Sequence, residues 1–475
     1  MAEQSVIVLG GGPAGVGGAW ALRRANKAKV TLIEAQSVVG GNAGSFTWEG
    51  QRLDYGSHRL HPASDARVVA DIKRMLGDDL LDRPRHGRIR LRGRWIHFPL
   101  KPVDLMLKTD PAFALGSVTD AATKPLRKRE RKTEESFASV LWENLGPTIC
   151  RDFYFPYARK IWGREPEELS AIQAYRRVSA GSFGKLVRKV LNAVPGMKPP
   201  GAGRFWYPRQ GFGQISEAYA AEAEKLGAEL ALGWRVIRIT THHSPRTTHQ
   251  VTAERNGEQR TWSAPHVWST LPISLLARLV DPAPPARVIE AAGQISYRAM
   301  ILVYLRLDVQ QFTEFDAHYL PGADIAITRL SEPKNYAALS EPRGSTVLCA
   351  ELPASPGDGR WEMSDQQLGA LVAGDLARAG LPLSRPPAGI MVRRLKQAYP
   401  IYLTGYEKPF GVLDDWSLSV PNMLTYGRQG LFAHDNTHHA LFMAYAAAEC
   451  LGPDGFDMGQ WQRYREVFAT HVVED

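Results

Sequence analysis

The feature that most constrains the fold of this chain is a glycine cluster set between a short apolar strand and a helix. Ser5 to Leu9 is apolar and β-branched, Gly10-Gly11-Gly12-Pro13-Ala14-Gly15 follows, Ala14 to Ala25 has helical character, and Lys29 to Glu34 reads as a second strand. That is the span of one βαβ unit. Gly10, Gly12 and Gly15 fit the GxGxxG pattern. The first permits a tight turn, the second lets backbone amides approach a pyrophosphate, and the third allows close packing of helix on strand. Pro13 and Ala14 open the helix at its anion-attracting end. Glu34 lies 34 − 15 = 19 residues beyond the last motif glycine, with Ala35 beside it, where an acid takes ribose hydroxyls. The expected fold class is therefore α/β, with a Rossmann-type dinucleotide-binding domain.

A second glycine turn, Gly40-Gly41-Asn42-Ala43-Gly44, comes soon after the ribose acid. Another loop of close backbone approach suits FAD, whose ribityl and flavin run past the first site, and adds Gly41 and Asn42 to the expected contacts. The 475 residues exceed one average core, so two interleaved domains are expected. The formal charge of +9 suits an anionic cofactor or small-molecule substrate, and a flavin dinucleotide accounts for part of it. There is no zinc-ligand spacing, RNA-binding aromatic signature or DNA-type basic helix, so neither metal nor nucleic acid is expected. Three cysteines, Cys150, Cys349 and Cys450, without a CxxC pair, argue against a disulfide scaffold and fit a reduced, cytoplasmic setting. No run approaches the roughly 18 apolar residues of a membrane span. No secretory leader is expected from Met1-Ala2-Glu3-Gln4.

Along the chain, the expected division is a first FAD-binding part (1–61), a helical insertion of the substrate domain (62–200), a second FAD-binding part (201–275), a β-rich substrate domain (276–395) and a third FAD-binding part (396–475). Residues 62–200 carry charged helical faces, and the basic run Lys124 to Lys132 reads as solvated helix or linker. Gly196 to Gly203 reads as a return loop. Ile215 to Leu226 is helical, Glu229 to Leu232 and Val236 to Ile239 are strands, and Val251 to Val267 is a hairpin. Tyr426-Gly427-Arg428 opens a polar loop, and a helix runs from His439 to Leu451, stopped by Gly452-Pro453.

Several further segments, in this order, resemble the flavin-containing amine oxidase and protoporphyrinogen oxidase superfamily, and within it the UDP-galactopyranose mutase-like branch. They are Tyr55-Gly56-Ser57-His58-Arg59-Leu60-His61, Phe98-Pro99-Leu100, Lys160-Ile161-Trp162-Gly163, Tyr207-Pro208-Arg209, Thr328-Arg329-Leu330-Ser331-Glu332-Pro333-Lys334 and Gly427-Arg428-Gln429-Gly430. The resemblance implies a glutathione-reductase-like FAD domain interleaved with an α+β substrate domain. It places Gly56, Ser57 and His58 beside the isoalloxazine, Val236 near the adenine, and Gly427, His439 and Ala440 near the flavin edge. A helix start there suits negative charge on the reduced ring. It also implies substrate contacts at Arg176, Tyr207, Arg329, Arg428 and Asn436, the arginines as forks for phosphate or carboxylate.

Two departures weigh against mutase chemistry. A second diphosphate arginine falls on Ala180, and the C-terminal loop reads Ala433-His434-Asp435-Asn436-Thr437-His438-His439, with His434 in place of a substrate tyrosine and Asn436 in place of an acid. The expected activity is an FAD-dependent oxidation in which a substrate C–H gives hydride to flavin N5 and a histidine takes the proton. His58, His61, His434 and His438 are the candidates, with His434 first. The rival readings are a redox-neutral nucleotide-sugar mutase using N5 as nucleophile and a flavin-free binding protein. A peripheral membrane contact, prompted by Leu100 to Leu115 and the basic run, is weakened by Pro102 and Pro111.

Overall fold

The computed structural model describes residues 4–62, 64–98, 108–124, 135–177, 203–241 and 248–473. Pro99-Leu100, Pro102, the basic run beyond Lys124, Ala180 and residues 196–202 of the return loop lie outside them.

Strand β1 (Ser5–Leu9), helix α1 (Pro13–Arg24) and strand β2 (Lys29–Glu34) form the βαβ unit. Around it a five-stranded sheet takes the order Met423–Thr425, His266–Ser269, β1, β2, Glu229–Leu232, with every pairing parallel. Its central strand runs Val6-Ile7-Val8-Leu9, all buried, because both faces of a parallel sheet are covered. On one face α1 packs against the closing helix Thr437–Cys450. Gly17 permits that approach, since a Cβ there would lie 2.8 Å from Leu441 Cδ2.

A four-stranded sheet branches off between these strands. Its hairpin joins His249–Arg255 to Glu258–Ala264 through Asn256 and Gly257, both at positive φ, as a two-residue turn demands. The third sheet has seven strands, in the order Gly389–Ile401, Ser296–Leu307, Thr346–Ala354, Arg329–Ser331, Ala317–Tyr319, Gly87–Leu91, Arg94–Phe98. Alternate residues of its central strands feed two cores. Ile301, Val303 and Leu305 pack toward the helix Asp365–Arg378, whereas Met300, Leu302 and Tyr304 pack toward Leu53, just before the Gly56-Ser57-His58 turn. The flavin end of the expected site thus sits against one face of this sheet.

Three elements differ from expectation. The stretch expected to be helical, 62–200, contains the strands Leu80–Pro84, Gly87–Leu91 and Arg94–Phe98. Polar and apolar residues alternate through Arg88-Ile89-Arg90-Leu91, and Arg92 and Gly93 turn the chain at positive φ into Arg94–Phe98. The run of arginines disguised a two-residue period as a charged helix. Gly427–Gly430 is a short helix rather than a polar loop, and the closing helix starts at Thr437, two residues before His439, because Asn436 occupies its N-cap. Pro111 opens the helix Pro111–Thr123 under an Asp110 cap, consistent with a break in the Leu100–Leu115 segment.

Buried histidines give the fold a pH signature. His318 is 1% exposed, and burial, with Arg88 nearby, pushes its pKa down to about 3. The unfolded chain then binds a proton below about pH 6.5 that the folded chain refuses, so stability falls with pH. Relative to His318→Asn, the wild type is expected to lose about 1.4 kcal/mol per pH unit between roughly pH 6.5 and 4. Denaturant melts of both proteins across that range check this, and parallel pH curves exclude it.

Candidate active site

The dinucleotide end is built from the two glycine turns. Gly10, at φ +98°, donates its N–H to Ile33 O at 2.9 Å, tying the turn to β2. A Cβ on Gly15 would overlap the Gly10 carbonyl oxygen, whereas one on Gly12 would meet nothing within 4 Å. That open side lies at the start of α1, where Gly12 is the N-cap and no side chain caps the helix. Its first amides are thus available to an anion. Glu34 is anchored through Oε2, which accepts from Gly11 N–H at 2.6 Å, and Oε1, which accepts from Gln36 N–H at 2.7 Å. Burial raises its pKa against those hydrogen bonds.

The second turn touches the first. Gly40 N–H donates to Gly11 O at 2.8 Å, and a Cβ on Gly41 would lie 3.3 Å from Gly12 Cα. Asn42 Nδ2 donates to Gln397 O at 3.0 Å, and Ala35 is exposed beside Glu34. Gly233 and Trp234 donate to Gln36 O and Glu34 O, which brings the strand of Val236 alongside the ribose acid. Gly427, at φ +77°, closes on Ala14, where a Cβ would lie 2.6 Å from the alanine Cβ. The cradle fits the ADP half of FAD.

At the flavin end, Gly56 has φ +97° and Ser57 N–H donates to Glu351 Oε1 at 2.8 Å. Glu351 is also the bidentate acceptor of Arg329, with Nε to Oε1 at 2.9 Å and Nη2 to Oε2 at 2.8 Å. Ser57 Oγ hydrogen-bonds the Tyr336 hydroxyl. The His58 ring lies 5.3 Å from that of Phe212, stacked on it, and its Nε2 is 3.0 Å from Tyr55 O. Burial lowers its pKa although the Asp54 carboxylate opposes this. Tyr207 turns inward: it is 2% exposed and donates its hydroxyl to Asp54 Oδ2 at 2.6 Å.

The loop before the closing helix is organised by Tyr402. Its hydroxyl donates to Phe432 O at 2.9 Å and accepts from His434 N–H at 3.1 Å and Arg176 Nη1 at 3.1 Å. Phe432 sits at φ +48°, a strained position for an aromatic residue that these bonds hold in place. His434 is 1% exposed, edge-to-face with Trp162 at 5.0 Å and Tyr402 at 4.8 Å, with Tyr399 at 6.3 Å. Arg428 donates to Ala398 O at 2.8 Å and Asp435 O at 3.3 Å and lies over the Tyr399 ring. Asn436 caps the helix, its N–H donating to His439 Nδ1 at 3.2 Å; Ala440 is buried one residue further on.

His438 and His439 are pushed down to pKa values of about 3 and about 4 by burial, the first also by His439 and His61. Asp435 lies between His439 and His471, whose rings stack 4.1 Å apart at 13°. Asp435 thereby links His471 to the start of the closing helix. The sequence reading missed Glu351, Asp54, Tyr336 and Tyr402. Each acts by a buried hydrogen bond to a partner far away in sequence, and no local spacing announces such a bond.

Comparison with known proteins agrees with this construction. The chain is 24% identical over 435 residues to protoporphyrinogen oxidase of Bos taurus, covering 85% of this chain and 89% of that protein. It is 25% identical over 350 residues to the Homo sapiens protein of the same name, covering 68% and 71%. In fold it matches reduced UDP-galactopyranose mutase with a TM-score of 0.81 at 18% identity, over 100% of this chain and 99% of that one. Putrescine oxidase with putrescine bound matches with a TM-score of 0.63 at 20% identity, over 94% and 98%. The family model of the flavin containing amine oxidoreductases matches residues 13–444, from the first glycine turn to the closing helix, and the chain therefore belongs to that family of FAD-dependent enzymes.

Proposed function

We propose that the protein oxidises a small-molecule substrate by hydride transfer to bound FAD, with His434 as the proton acceptor. The observation that carries this reading over a nucleotide-sugar mutase is the commitment of the three candidate arginines. The Arg329 fork is closed on Glu351, Arg428 is turned onto the carbonyls of Ala398 and Asp435, and Arg176 is held by the Tyr402 hydroxyl. A diphosphate would have to break these contacts before it gained its own. The similarity to protoporphyrinogen oxidase and putrescine oxidase, both named for oxidations, supports the same reading.

When bound, the flavin supplies the hydride acceptor. The chain's residues do the rest. The Gly10–Gly15 turn and Glu34 hold the ADP half, Gly56 to His58 fix the ring end, and the first amides of Thr437–Cys450 favour negative charge beside it. Trp162, Tyr399 and Tyr402 keep bulk water from His434, whose ring takes the substrate proton. His438 is a poorer base at neutral pH because its conjugate acid is too strong, and burial weakens His58 in the same direction.

Anaerobic mixing with amines, alcohols, polycyclic precursors and nucleotide sugars tests the proposal. A substrate is expected to bleach the flavin absorbance, and His434→Ala to slow bleaching by about 10²-fold or more while leaving the resting flavin spectrum unchanged. Unchanged bleaching removes His434 from the chemistry. Turnover of a nucleotide sugar that starts only after dithionite reduction, without net oxidation, overturns the oxidase reading in favour of the mutase.

A further inference from the structure

The seven-stranded sheet has two faces, and the flavin end uses only one. Tyr319, its ring tilted against that of Phe98 and its hydroxyl accepting from Arg59, stands on the flavin side. Its neighbour His318 points the other way, and the register pairs His318 with Arg88, and Arg88 with His97. On that far side, at the edge strand Arg94–Phe98, lies a cavity of about 280 Å³ whose wall includes Arg88, Trp95 and Phe315.

Arg88 is the unusual member. Its guanidinium carbon lies 4.3 Å from the centre of the Trp95 ring and 4.4 Å from that of Phe315, so both faces are covered and the edge is left for hydrogen bonds. Its Nε is buried without a hydrogen-bond partner, and among the described residues Arg88 forms no ion pair. Arg59 has Asp316, Arg329 has Glu351, and Arg298 has backbone carbonyls and the Ser355 hydroxyl, whereas the half-buried Arg88 has no such partner among the described residues. Burial lowers the pKa of Arg88, with the Glu314 carboxylate working against this. A half-buried cation with an unpartnered Nε and no direct ion pair among the described residues offers an edge that a planar oxyanion can meet bidentately.

The rest of the wall suits the same ligand. His86 stacks on Phe315 at 4.7 Å, and its Nδ1 lies 3.3 Å from His97 Nε2, which adds polar ring atoms to the wall. Lys108 stands on the lining, and Glu314, 3.5 Å from His86 Nε2 and largely exposed, is the single acid there. We propose that this cavity is a second binding site, separate from the flavin, for a small organic carboxylate whose oxygens meet the Arg88 fork and whose body lies against the aromatic wall. The site is independent of the reaction proposed for the flavin.

Calorimetric titration of the FAD-loaded protein with benzoate, and separately with inorganic phosphate, tests this. Saturable benzoate binding is expected, weakened about tenfold or more in Arg88→Gln and tightened a few-fold in Glu314→Gln, which removes the one repelling charge while leaving the fork intact. The flavin spectrum should stay constant through all three titrations. Benzoate binding that is absent in the wild type, that is unaltered by both substitutions, or that moves the flavin spectrum in proportion to occupancy overturns the proposal. Saturable phosphate binding with the same dependence on Arg88, and none of benzoate, replaces the carboxylate with a phosphate ligand and overturns it as stated.

Discussion

Gly15→Ala is expected to yield protein that neither retains flavin nor melts cooperatively near the wild-type temperature. The added Cβ would overlap the Gly10 carbonyl oxygen, a backbone atom that cannot swing aside because Gly10 N–H is bonded to Ile33 O. The clash can be relieved only by moving α1 off β1, which opens the packing of Val8 and Val16. Such a shift in a packed core costs about 1–3 kcal/mol or more. Gly12→Ala separates folding from binding. Its Cβ would meet nothing within 4 Å, so the flavin-free protein is expected to melt like the wild type. The methyl group would nevertheless stand at the start of α1, where the pyrophosphate must approach the amides, and flavin affinity should fall. Melting curves of the stripped proteins, with flavin titration of each, check both variants. Equal flavin affinity in Gly12→Ala would mean that the pyrophosphate does not lie at this turn.

The contrast between those two glycines shows what was legible in the sequence. Gly10, Gly12, Gly15 and Glu34 follow a spacing set by one local turn, and that turn is the one the structure forms. Gly40 and Gly41 were legible for the same reason, and the structure seats them directly on the first turn. The strands at 87–98 were hidden because the arginines at 88, 90, 92 and 94 read as a charged helical face. Tyr207 and Asn436 were assigned to substrate by resemblance; the structure gives the first a buried bond to Asp54 and the second a helix cap. Arg329 was assigned to substrate by resemblance, without its partner Glu351, because Arg329 and Glu351 meet only when two antiparallel strands pair in register.

That pair carries the other large prediction. Burial alone would lower the pKa of Arg329, and Glu351 more than reverses this, holding the guanidinium well above its ordinary value. Both side chains are nearly sealed, with 16% and 5% of their surface exposed. Glu351→Ala strands a buried cation and orphans the Ser57 N–H, which together are expected to cost about 3–5 kcal/mol of stability. Removing both charges should cost less, because an apolar pair of similar size leaves no unpaired charge. Arg329→Met with Glu351→Leu is therefore expected to be more stable than Glu351→Ala by denaturant melting of the flavin-free proteins. Flavin retention distinguishes the second task of Glu351. In the double variant Ser57 N–H has still lost its acceptor, so the Gly56-Ser57 turn beside the ring is less fixed, and flavin should dissociate faster than from the wild type even where stability has recovered. If stability and flavin retention recover together in the double variant, Glu351 serves only to neutralise Arg329 and the turn is held by its other contacts, the Ser57–Tyr336 hydroxyl pair and Gly56 N–H on Asp54 O among them.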